Sequence, residues 1–376
     1  MDSLINVPKL GFGMMRLPMQ DEVVDLEQVC RMVDAYMEAG FHYFDTAYNY
    51  HGGKSESIVR KTVVERYPRD SFFLTSKLPG WEIHNKEDRD RIFQEQLERT
   101  GAKYFDNYLL HSIQDENYEN YEKYDCFSWG VAQKKAGRIR HFGFSFHGTP
   151  ALLEKILDRH PEVEFVQIQL NYADWDNPVI ASRELYEILR KRNLPILIME
   201  PVKGGTLTKL PPKAEELLRT AAPERSLASW ALRYAAGMPG VVTVLSGMSN
   251  EEQMADNLKI FKDLEPLSKE EQAVVERVVE AMRDQPMVAC TDCRYCVEGC
   301  PQSIIIPEVI KGINSARLYP EDSSPKSFYE RLIKTSGKAS DCIACGQCED
   351  TCPQHLPIID LMKEAAERFE KEEATK

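Results

Sequence analysis

Apolar runs of six or seven residues alternate with longer amphipathic stretches over residues 9–248. The runs are rich in β-branched and aromatic residues, as buried strands are. The stretches between them repeat apolar positions at helical spacing. Residues 26–40 are an example, in which Gly40 marks the end of the predicted helix. Eight such runs are present, at 10–15, 41–46, 72–77, 107–112, 141–146, 165–171, 196–201 and 242–248. Eight alternating strand–helix units in about 250 residues predict a TIM barrel, the (β/α)8 fold, rather than a doubly wound sheet.

The alternation stops after the eighth unit. A helical pattern that begins at Ser268 has no strand after it, and a cysteine-rich segment follows from Cys290. We therefore predict a barrel domain over residues 1–284 and a small α-helical, ferredoxin-like domain over residues 285–376. The charged helical pattern of the last residues, 364–376, has few apolar positions, and we expect a solvated tail there.

The composition is that of a globular protein, with 43% apolar and 28% charged residues and a net charge of −13. No basic cluster offsets this charge, so nucleic acid and anionic membrane surfaces are excluded as partners in favour of small molecules or proteins. No apolar run approaches the roughly 20 residues of a membrane-spanning helix. The first residues also lack the pattern of a signal peptide, and we expect a cytoplasmic protein.

Eight of the ten cysteines form two runs with the same spacing, C-x2-C-x2-C-x3-C-P, which is the spacing of bacterial ferredoxins. In that pattern the first three thiolates of a run hold one cuboidal cluster, and the fourth thiolate reaches the other cluster. The sequence therefore predicts two [4Fe-4S] clusters with crossed ligand sets. The first set is Cys290, Cys293, Cys296 and Cys352, and the second set is Cys342, Cys345, Cys348 and Cys300.

Structural zinc is the alternative, since paired C-x2-C motifs also form tetrahedral zinc sites. Zinc uses four thiolates per ion, and it gives no reason for a third cysteine at the same short step or for the paired Cys-Pro. Iron–sulfur clusters account for both features. The residues between Cys300 and Cys342 include helical patterns, which indicates a helical insertion in the ferredoxin-like core. Cys30 and Cys126 lie in helical patterns, where we expect them to be buried small hydrophobes.

Polar residues lie at the ends of consecutive predicted strands, where TIM barrels carry their active sites. Asp45 ends the second strand, with Tyr50 in the loop after it, and Lys77 and His111 end the third and fourth. The chain resembles the aldo-keto reductase family over about residues 8–262, through LGFGMMRLP, FDTAYNYHGGKSE, FLTSK, YLLH, GFSFH, VQIQLN and MEPVKGG. This resemblance implies that these four residues form a catalytic tetrad.

The chemistry that the resemblance implies is consistent with the residue types. A phenol with a pKa near 10 is a poor acid and a poor base at neutral pH, and a nearby ammonium such as that of Lys77 lowers a phenol pKa. Asp45 would hold the ammonium in place. Hydride would pass from C4 of a nicotinamide to a carbonyl carbon while Tyr50 donates a proton, with His111 orienting the carbonyl oxygen. Tyr48 is the alternative proton donor.

The resemblance also assigns residues to the cofactor, which would be NADPH or NADH. They are Ser145, Gln167, Met199, Lys203, Gly247, Ser249, Gln253 and Asn257. Ser145 and Gln167 match the residues that bind the carboxamide, and Met199 stands where many relatives have an aromatic residue that stacks on the nicotinamide. Lys203 is a candidate for the pyrophosphate. The other four match the region that binds the adenosine end of the dinucleotide. This region has no Lys or Arg to bind a 2′-phosphate, so the preference for NADPH or NADH stays open.

Two functions remain as hypotheses. The first is an aldo-keto reductase that acts on a small-molecule carbonyl or alcohol and carries a two-cluster module, with a redox protein as a further candidate partner. The second is an electron-transfer protein in which the barrel is a binding module and the clusters carry the function. The intact set of Asp45, Tyr50, Lys77 and His111 favours the first. A regulatory subunit has no feature in its favour.

Anaerobically purified protein is expected to be brown and to contain about eight iron atoms and about eight acid-labile sulfides per chain, because each of the two clusters holds four of each. Iron and sulfide assays check this, together with zinc analysis of the same sample. Stoichiometric zinc without labile sulfide would refute the cluster assignment.

Overall fold

The computed structural model describes residue 4 and residues 7–21, 23–177, 180–283, 287–318 and 324–370. The predicted domain boundary at residue 284 and the tail residues 371–376 lie outside these ranges. The chain divides into two compact units. The first unit contains Met1–Pro201 and Ala228–Ser268, and the second contains Val202–Leu227 and Lys269–Lys376. No helix in the described part of the chain has the length and the hydropathy that a membrane span requires.

Ten strands lie in the described ranges. They are β1 (Leu10–Gly13), β2 (Met19–Gln20), β3 (Val23–Val24), β4 (Tyr43–Asp45), β5 (Phe73–Pro79), β6 (Phe105–Ile113), β7 (Ile139–Phe146), β8 (Phe165–Gln169), β9 (Ile196–Met199) and β10 (Val241–Ser246).

Eight of these strands close into a parallel barrel in the order β1-β10-β9-β8-β7-β6-β5-β4. They coincide with the eight predicted runs, so the predicted TIM barrel is confirmed. The register pairs Asp45 with Thr75, and Pro79 with His111. Every residue of β5 and β6 is buried, as expected for parallel strands covered on both faces.

The short antiparallel hairpin β2–β3 has no counterpart among the predicted strands. Each of its strands has two residues, which is too short for an alternating pattern to appear. The hairpin exposes two large apolar side chains, those of Met19 and Val23.

The helix predicted within residues 26–40 is present as Leu26–Glu38, and the helical pattern that begins at Ser268 is present as Lys269–Arg283. Within the described ranges the helices are α1 (Leu26–Glu38), α2 (Tyr50–Gly53), α3 (Ser55–Val59), α4 (Glu87–Thr100), α5 (Tyr118–Lys123), α6 (Cys126–Lys135), α7 (Pro150–Arg159), α8 (Ser182–Lys191), α9 (Pro212–Ala221), α10 (Leu227–Ala236), α11 (Glu251–Lys262), α12 (Lys269–Arg283), α13 (Tyr295–Glu298), α14 (Ile306–Leu318), α15 (Ser324–Leu332), α16 (Gln347–Asp350) and α17 (Ile358–Ala365).

Side-chain caps begin several of these helices. Asp25 accepts a hydrogen bond from the backbone N–H of Gln28 at 2.9 Å and caps α1. Asn250 accepts one from the backbone N–H of Gln253 at 2.8 Å and caps α11. Each cap satisfies a backbone donor that the first turn of a helix leaves without a partner.

The barrel interior is packed with side chains from most of its strands. Its core cluster consists of Leu4, Val7, Tyr43, Phe73, Leu109, Phe165, Leu197 and Leu245. The buried Tyr43 hydroxyl accepts hydrogen bonds from Thr75 Oγ1 and Asn107 Nδ2, both at 2.9 Å. The interior is therefore filled, and any ligand must bind at an end of the barrel rather than inside it.

The second unit has its own apolar core, built mainly from α14 and α17 with the cysteine-bearing loops. Phe369 is buried in this core, where its ring stacks on that of Tyr329 with centroids 5.0 Å apart. Tyr329 also donates a hydrogen bond to the Glu370 carboxylate at 2.5 Å. The expectation of a solvated tail is therefore wrong for residues 364–370, because a single buried aromatic residue anchors a segment that is otherwise charged.

The segment Val202–Leu227, which follows the barrel strand β9, belongs to the second unit. Its helix α9 packs against α12. Gly204 has a left-handed φ of 63°, and a Cβ built there would lie 2.3 Å from the Thr291 carbonyl oxygen. Thr291 lies between Cys290 and Cys293. Only a glycine therefore allows this close approach to a cysteine-bearing loop.

Gly204→Ala is expected to destabilise the second unit by about 1–3 kcal/mol more than Gly205→Ala, because the added methyl group would collide with the Thr291 backbone. Gly205 is a matched control, since its φ of 94° is also left-handed and no neighbouring atom lies within 4 Å of the built Cβ. The temperature at which each variant loses its visible iron–sulfur absorbance measures the difference. Equal losses in the two variants would show that the Thr291 contact does not constrain the fold.

Candidate active site and cluster sites

A buried ion pair joins the ends of two barrel strands. Lys77 on β5 donates a hydrogen bond from Nζ to Asp45 Oδ1 on β4 at 2.6 Å, and a second to the Thr46 backbone carbonyl at 2.7 Å. Both charged side chains are almost completely removed from solvent. Isolated buried charges are costly, so the pair must remain together for either residue to be ionised here.

Burial and attraction have opposite effects on the two pKa values. Burial raises the pKa of the Asp45 carboxyl and lowers the pKa of the Lys77 ammonium, and the attraction between the two groups opposes both shifts. The buried carboxyl of Glu56 also acts to raise the pKa of Lys77. Two carboxylates thus favour the protonated form of Lys77 against the cost of desolvation.

The phenol of Tyr50 and the imidazole of His111 lie next to this pair. Lys77 Nζ is 4.9 Å from the centroid of the Tyr50 ring, and the Tyr50 and His111 rings meet edge to face with centroids 5.9 Å apart. The chain turns sharply after Tyr50, because His51 has a left-handed φ of 53°. The structure therefore brings together all four residues of the predicted tetrad.

Tyr48, the alternative proton donor, takes part in a different set of contacts. Its hydroxyl donates to Glu95 Oε2 at 2.9 Å, and the Arg99 guanidinium lies 4.2 Å from its ring centroid. Both partners lie on helix α4. This geometry favours Tyr50 over Tyr48 as the phenol that acts with Lys77.

The imidazole of His111 is neutral near pH 7. Burial lowers its pKa well below the usual value, and the positive charges of Lys77 and His147 lower it further. The indole ring of Trp81, which is partly exposed, lies 5.2 Å from the His111 ring. His111 therefore offers a neutral imidazole beside an aromatic side chain that a substrate could contact.

A buried polar network supports the strand that carries Lys77, and the sequence analysis gave it no role. Glu56 Oε1 accepts hydrogen bonds from Ser76 Oγ at 2.6 Å and from Gln96 Nε2 at 2.7 Å. Gln96 Nε2 also donates to the Lys77 backbone carbonyl at 3.0 Å. Burial raises the pKa of Glu56. The only sequence signals are an acidic residue in the buried face of α3 and a glutamine in the buried face of α4.

The two residues predicted to bind a carboxamide are neighbours in the sheet, since Ser145 on β7 pairs in register with Gln167 on β8. The Ser145 hydroxyl accepts a hydrogen bond from the Ser112 backbone N–H at 2.7 Å. Gln167 Nε2 lies 3.5 Å from the Met199 sulfur, while its buried Oε1 has no hydrogen-bond partner among the described residues. A buried acceptor without a partner fits the amide N–H of a nicotinamide carboxamide.

The segment predicted to bind the adenosine end surrounds the start of α11. The Ser249 backbone N–H donates to Gln253 Oε1 at 2.8 Å, and Gln253 O accepts from Asn257 Nδ2 at 2.9 Å. The buried Asn257 Oδ1 has no hydrogen-bond partner in the described ranges, so it is available to an amino group such as that of adenine. Gly247, Ser249 and Gln253 lie around the N-terminus of α11, which is a favourable position for a phosphate.

Arg16 is a cation near this segment that the sequence analysis missed. Ser249 Oγ donates a hydrogen bond to the Arg16 backbone carbonyl at 2.9 Å. The Arg16 side chain packs against Gly247, and its guanidinium pairs with the Glu200 carboxylate at 3.1 Å. Arg16 lies more than 200 residues away in sequence, so local inspection of the segment could not find it.

Lys203 belongs to the second unit, where its side chain is buried, and the other seven predicted cofactor residues belong to the first.

The second cysteine set encloses one cavity. Its lining includes all four thiols together with the apolar side chains of Ile304, Ile306, Ile359 and Met362. Three of these thiols come from the second run and one, that of Cys300, comes from the first. The crossed arrangement predicted from the spacing is therefore the one that the fold brings together, and an apolar cavity lined by four thiols fits a [4Fe-4S] cluster.

The first cysteine set is also clustered. Burial raises the pKa of the Cys296 thiol, and the neighbouring thiols of Cys293, Cys290 and Cys352 raise it further. Among the described residues, no group of three or more His, Cys, Asp or Glu side chains is arranged to hold a single metal ion. A cuboidal cluster differs from such a site because its four thiolates bind four different iron atoms and stand farther apart.

Comparisons with known proteins identify two regions of the chain. Residues 9–280 match the aldo/keto reductase family, and residues 289–356 match a 4Fe-4S dicluster domain. An aldo-keto reductase of Mycobacterium avium is 28% identical over 265 residues, which cover 69% of this chain and 83% of that protein.

Solved structures show the same fold. The chain is similar to the holo form of an aldo-keto reductase from Bacillus halodurans, with a TM-score of 0.59, 24% identity, and coverage of 72% of this chain and 91% of that one. It is also similar to an aldo-keto reductase from Klebsiella pneumoniae in complex with NADPH, with a TM-score of 0.57, 22% identity, and coverage of 73% and 91%.

His111→Gln is expected to make the free energy of unfolding depend less on pH in the acid range. Because the folded protein holds His111 with a pKa well below the unfolded value of about 6.5, only the unfolded chain takes up a proton there as the pH falls through about 6.5. The wild type should therefore lose about 1.4 kcal/mol more stability than the variant for each pH unit below about 6.5. Urea unfolding of both proteins at pH 7.5 and pH 5.5 measures this, and equal losses would contradict a buried neutral imidazole.

Proposed function

The chain belongs to the aldo/keto reductase family, and from that premise we propose that it is an NAD(P)H-dependent reductase of small-molecule carbonyls, fused to a module that holds two [4Fe-4S] clusters. In the reverse direction it oxidises the corresponding alcohol. The observation that carries this proposal is the buried Lys77–Asp45 pair beside the Tyr50 ring. A buried ammonium that a carboxylate holds next to a phenol can stabilise the phenolate that forms when the phenol gives up its proton.

Tyr50 is the general acid. The Lys77 ammonium stabilises the phenolate that remains after Tyr50 gives its proton to the carbonyl oxygen, and Asp45 keeps the ammonium charged and in place. The bound nicotinamide supplies the hydride. In alcohol oxidation the Tyr50 phenolate takes the hydroxyl proton instead, so the same residue serves as general base.

His111 orients the carbonyl. As a neutral imidazole it donates one hydrogen bond to the carbonyl oxygen, where negative charge develops during reduction, without competing with Tyr50 as an acid. Trp81 provides an aromatic surface for the rest of the substrate.

Residues of the first unit hold the dinucleotide. Ser145 and Gln167 bind the carboxamide, with the Gln167 Oε1 atom accepting from its N–H, and Met199 packs on the ring. At the other end, Asn257 contacts the adenine and Arg16 supplies a positive charge near the phosphates. Both NADPH and NADH fit these contacts.

The clusters are separate from the hydride step. A hydride carries two electrons together, whereas each cluster exchanges one electron at a time. We therefore propose that the clusters exchange electrons with a redox protein partner, and that the protein acts in the cytoplasm. In the alternative function the barrel only binds a partner. That alternative predicts turnover with a ferredoxin or a dye, and no NAD(P)H oxidation when a carbonyl substrate is added.

Tyr50→Phe is expected to lower kcat for carbonyl reduction by about 10²–10⁴-fold while leaving the Kd for the nicotinamide within a few-fold of wild type, because only the proton donor is removed. A panel of carbonyls and sugars assayed with NADPH and with NADH provides the rates, and fluorescence titration provides the Kd. Tyr48→Phe is the matched control, since its hydroxyl bonds to Glu95. An inactive Tyr48→Phe with an active Tyr50→Phe would assign the acid to Tyr48.

A further inference from the structure

We propose that electrons enter and leave the protein through the second cysteine set, at a face centred on Ile343 that lies in a stretch of chain with an excess of acidic residues and docks a basic one-electron carrier protein. We call this surface, residues 341–347, the Ile343 face. The proposal rests on the proposed function, in that it requires the [4Fe-4S] clusters to be present. It adds which of the two clusters is the point of exchange and what kind of partner binds there.

The two cysteine runs differ sharply in solvent exposure at equivalent positions. Ile343 follows the first cysteine of its run, as Thr291 does in the other run. The Ile343 side chain is 61% exposed, whereas Thr291 is 2% exposed and lies against Gly204. The segment containing Gly204 therefore covers the first cysteine set at the position where the second set is open.

The cysteines themselves show the same asymmetry. In the first set, Cys296 and Cys352 are buried and the other two are partly exposed. In the second set no member is buried, and Cys345 is exposed. Electron transfer between proteins becomes slower as the centres move apart, so the cluster nearer the surface is the better point of exchange.

An apolar residue at the centre of this surface suits protein docking. Ile343 is one of four large apolar side chains that the described residues expose. Ala344 and Gly346 have left-handed φ values of 54° and 83°, so the backbone forms a tight turn around the exposed Cys345. Transient interfaces commonly combine such an apolar centre with a polar rim.

The charge around this turn selects the partner. Residues 338–363 contain four acidic side chains and two lysines. Lys363 pairs with Asp360 at 2.8 Å, which leaves three carboxylates, those of Asp341, Glu349 and Asp350, against the single lysine Lys338. The thiolates of a bound cluster add further negative charge. A carrier with lysines or arginines around its redox centre is therefore steered to this surface, whereas a second copy of this chain, with a net charge of −13, is repelled.

The exchange is a simple electron transfer. The reduced cluster loses one electron and the oxidised centre of the carrier gains it, while no covalent bond forms or breaks and no proton has to move. The opposite direction delivers one electron to the cluster.

Ferricytochrome c, a basic haem protein that accepts one electron, is a suitable probe. The holoprotein is reduced with dithionite, freed of excess reductant and mixed with ferricytochrome c in an anaerobic stopped-flow instrument. Ile343→Lys is expected to lower the second-order rate constant about tenfold or more at low ionic strength. Val23→Lys is the matched control, because Val23 is 69% exposed in the first unit and the change in charge is the same. It should keep the rate within about twofold of wild type.

Binding gives a second readout that does not depend on electron flow. Calorimetric titration of the oxidised holoprotein with ferricytochrome c should show a weaker Kd for Ile343→Lys, by about tenfold, and an unchanged Kd for Val23→Lys. The wild-type rate should also fall as salt is added. If Ile343→Lys loses iron, Ile343→Thr replaces it, since threonine is the residue at the equivalent position of the other run, and a smaller decrease in rate is then expected.

The outcomes separate this proposal from the proposed function. Equal effects of Ile343→Lys and Val23→Lys, with both clusters present by iron analysis and EPR, would overturn the Ile343 face as the point of exchange. A wild-type rate that rises with salt would overturn the basic partner. Clusters that are present and reducible but give no electron to ferricytochrome c would instead contradict the proposed role of the clusters in electron exchange.

Discussion

The buried ion pair between Lys77 and Asp45 is the constraint on which the active site depends. Transferring both charges from water to the interior is unfavourable, and the pair is tolerated because the two strand ends hold the side chains 2.6 Å apart and the Thr46 carbonyl accepts a further hydrogen bond. Direct pairing of β4 with β5 in the sheet holds the two strand ends side by side. In the proposed mechanism the Tyr50 phenol can act as an acid only while this ammonium stays charged beside it.

The surroundings of the pair are arranged to keep it ionised and rigid. Glu56 and Gln96 bind β5 from the helix side, and the carboxylate of Glu56 favours the protonated form of Lys77. His111 is kept neutral by burial and by the same ammonium. The same lysine therefore contacts both neighbours in the site, because its charge disfavours the imidazolium of His111 and it lies 4.9 Å from the centroid of the Tyr50 ring.

The sequence predicted the features that depend on local pattern, and it missed those that depend on long-range contacts. Eight apolar runs identified the barrel strands. The cysteine spacing grouped Cys300 with the first three thiols of the second run, and these four thiols line one cavity. Arg16 approaches Ser249 only because β1 and β10 pair in the closed barrel. Phe369 anchors a segment whose composition is that of a solvated helix. Neither contact leaves a local signal.

In the proposed function, two electrons move together as hydride in the barrel, and single electrons are exchanged at the clusters. Isotope tracing tests this most directly. Nicotinamide cofactor carrying deuterium in both positions at C4 is given to the holoprotein with a carbonyl substrate, and the alcohol is examined by mass spectrometry. One deuterium is expected on the former carbonyl carbon of each product molecule. A product without deuterium, formed while the cofactor is oxidised, would show that electrons reach the substrate by another route and would contradict direct hydride transfer in the barrel.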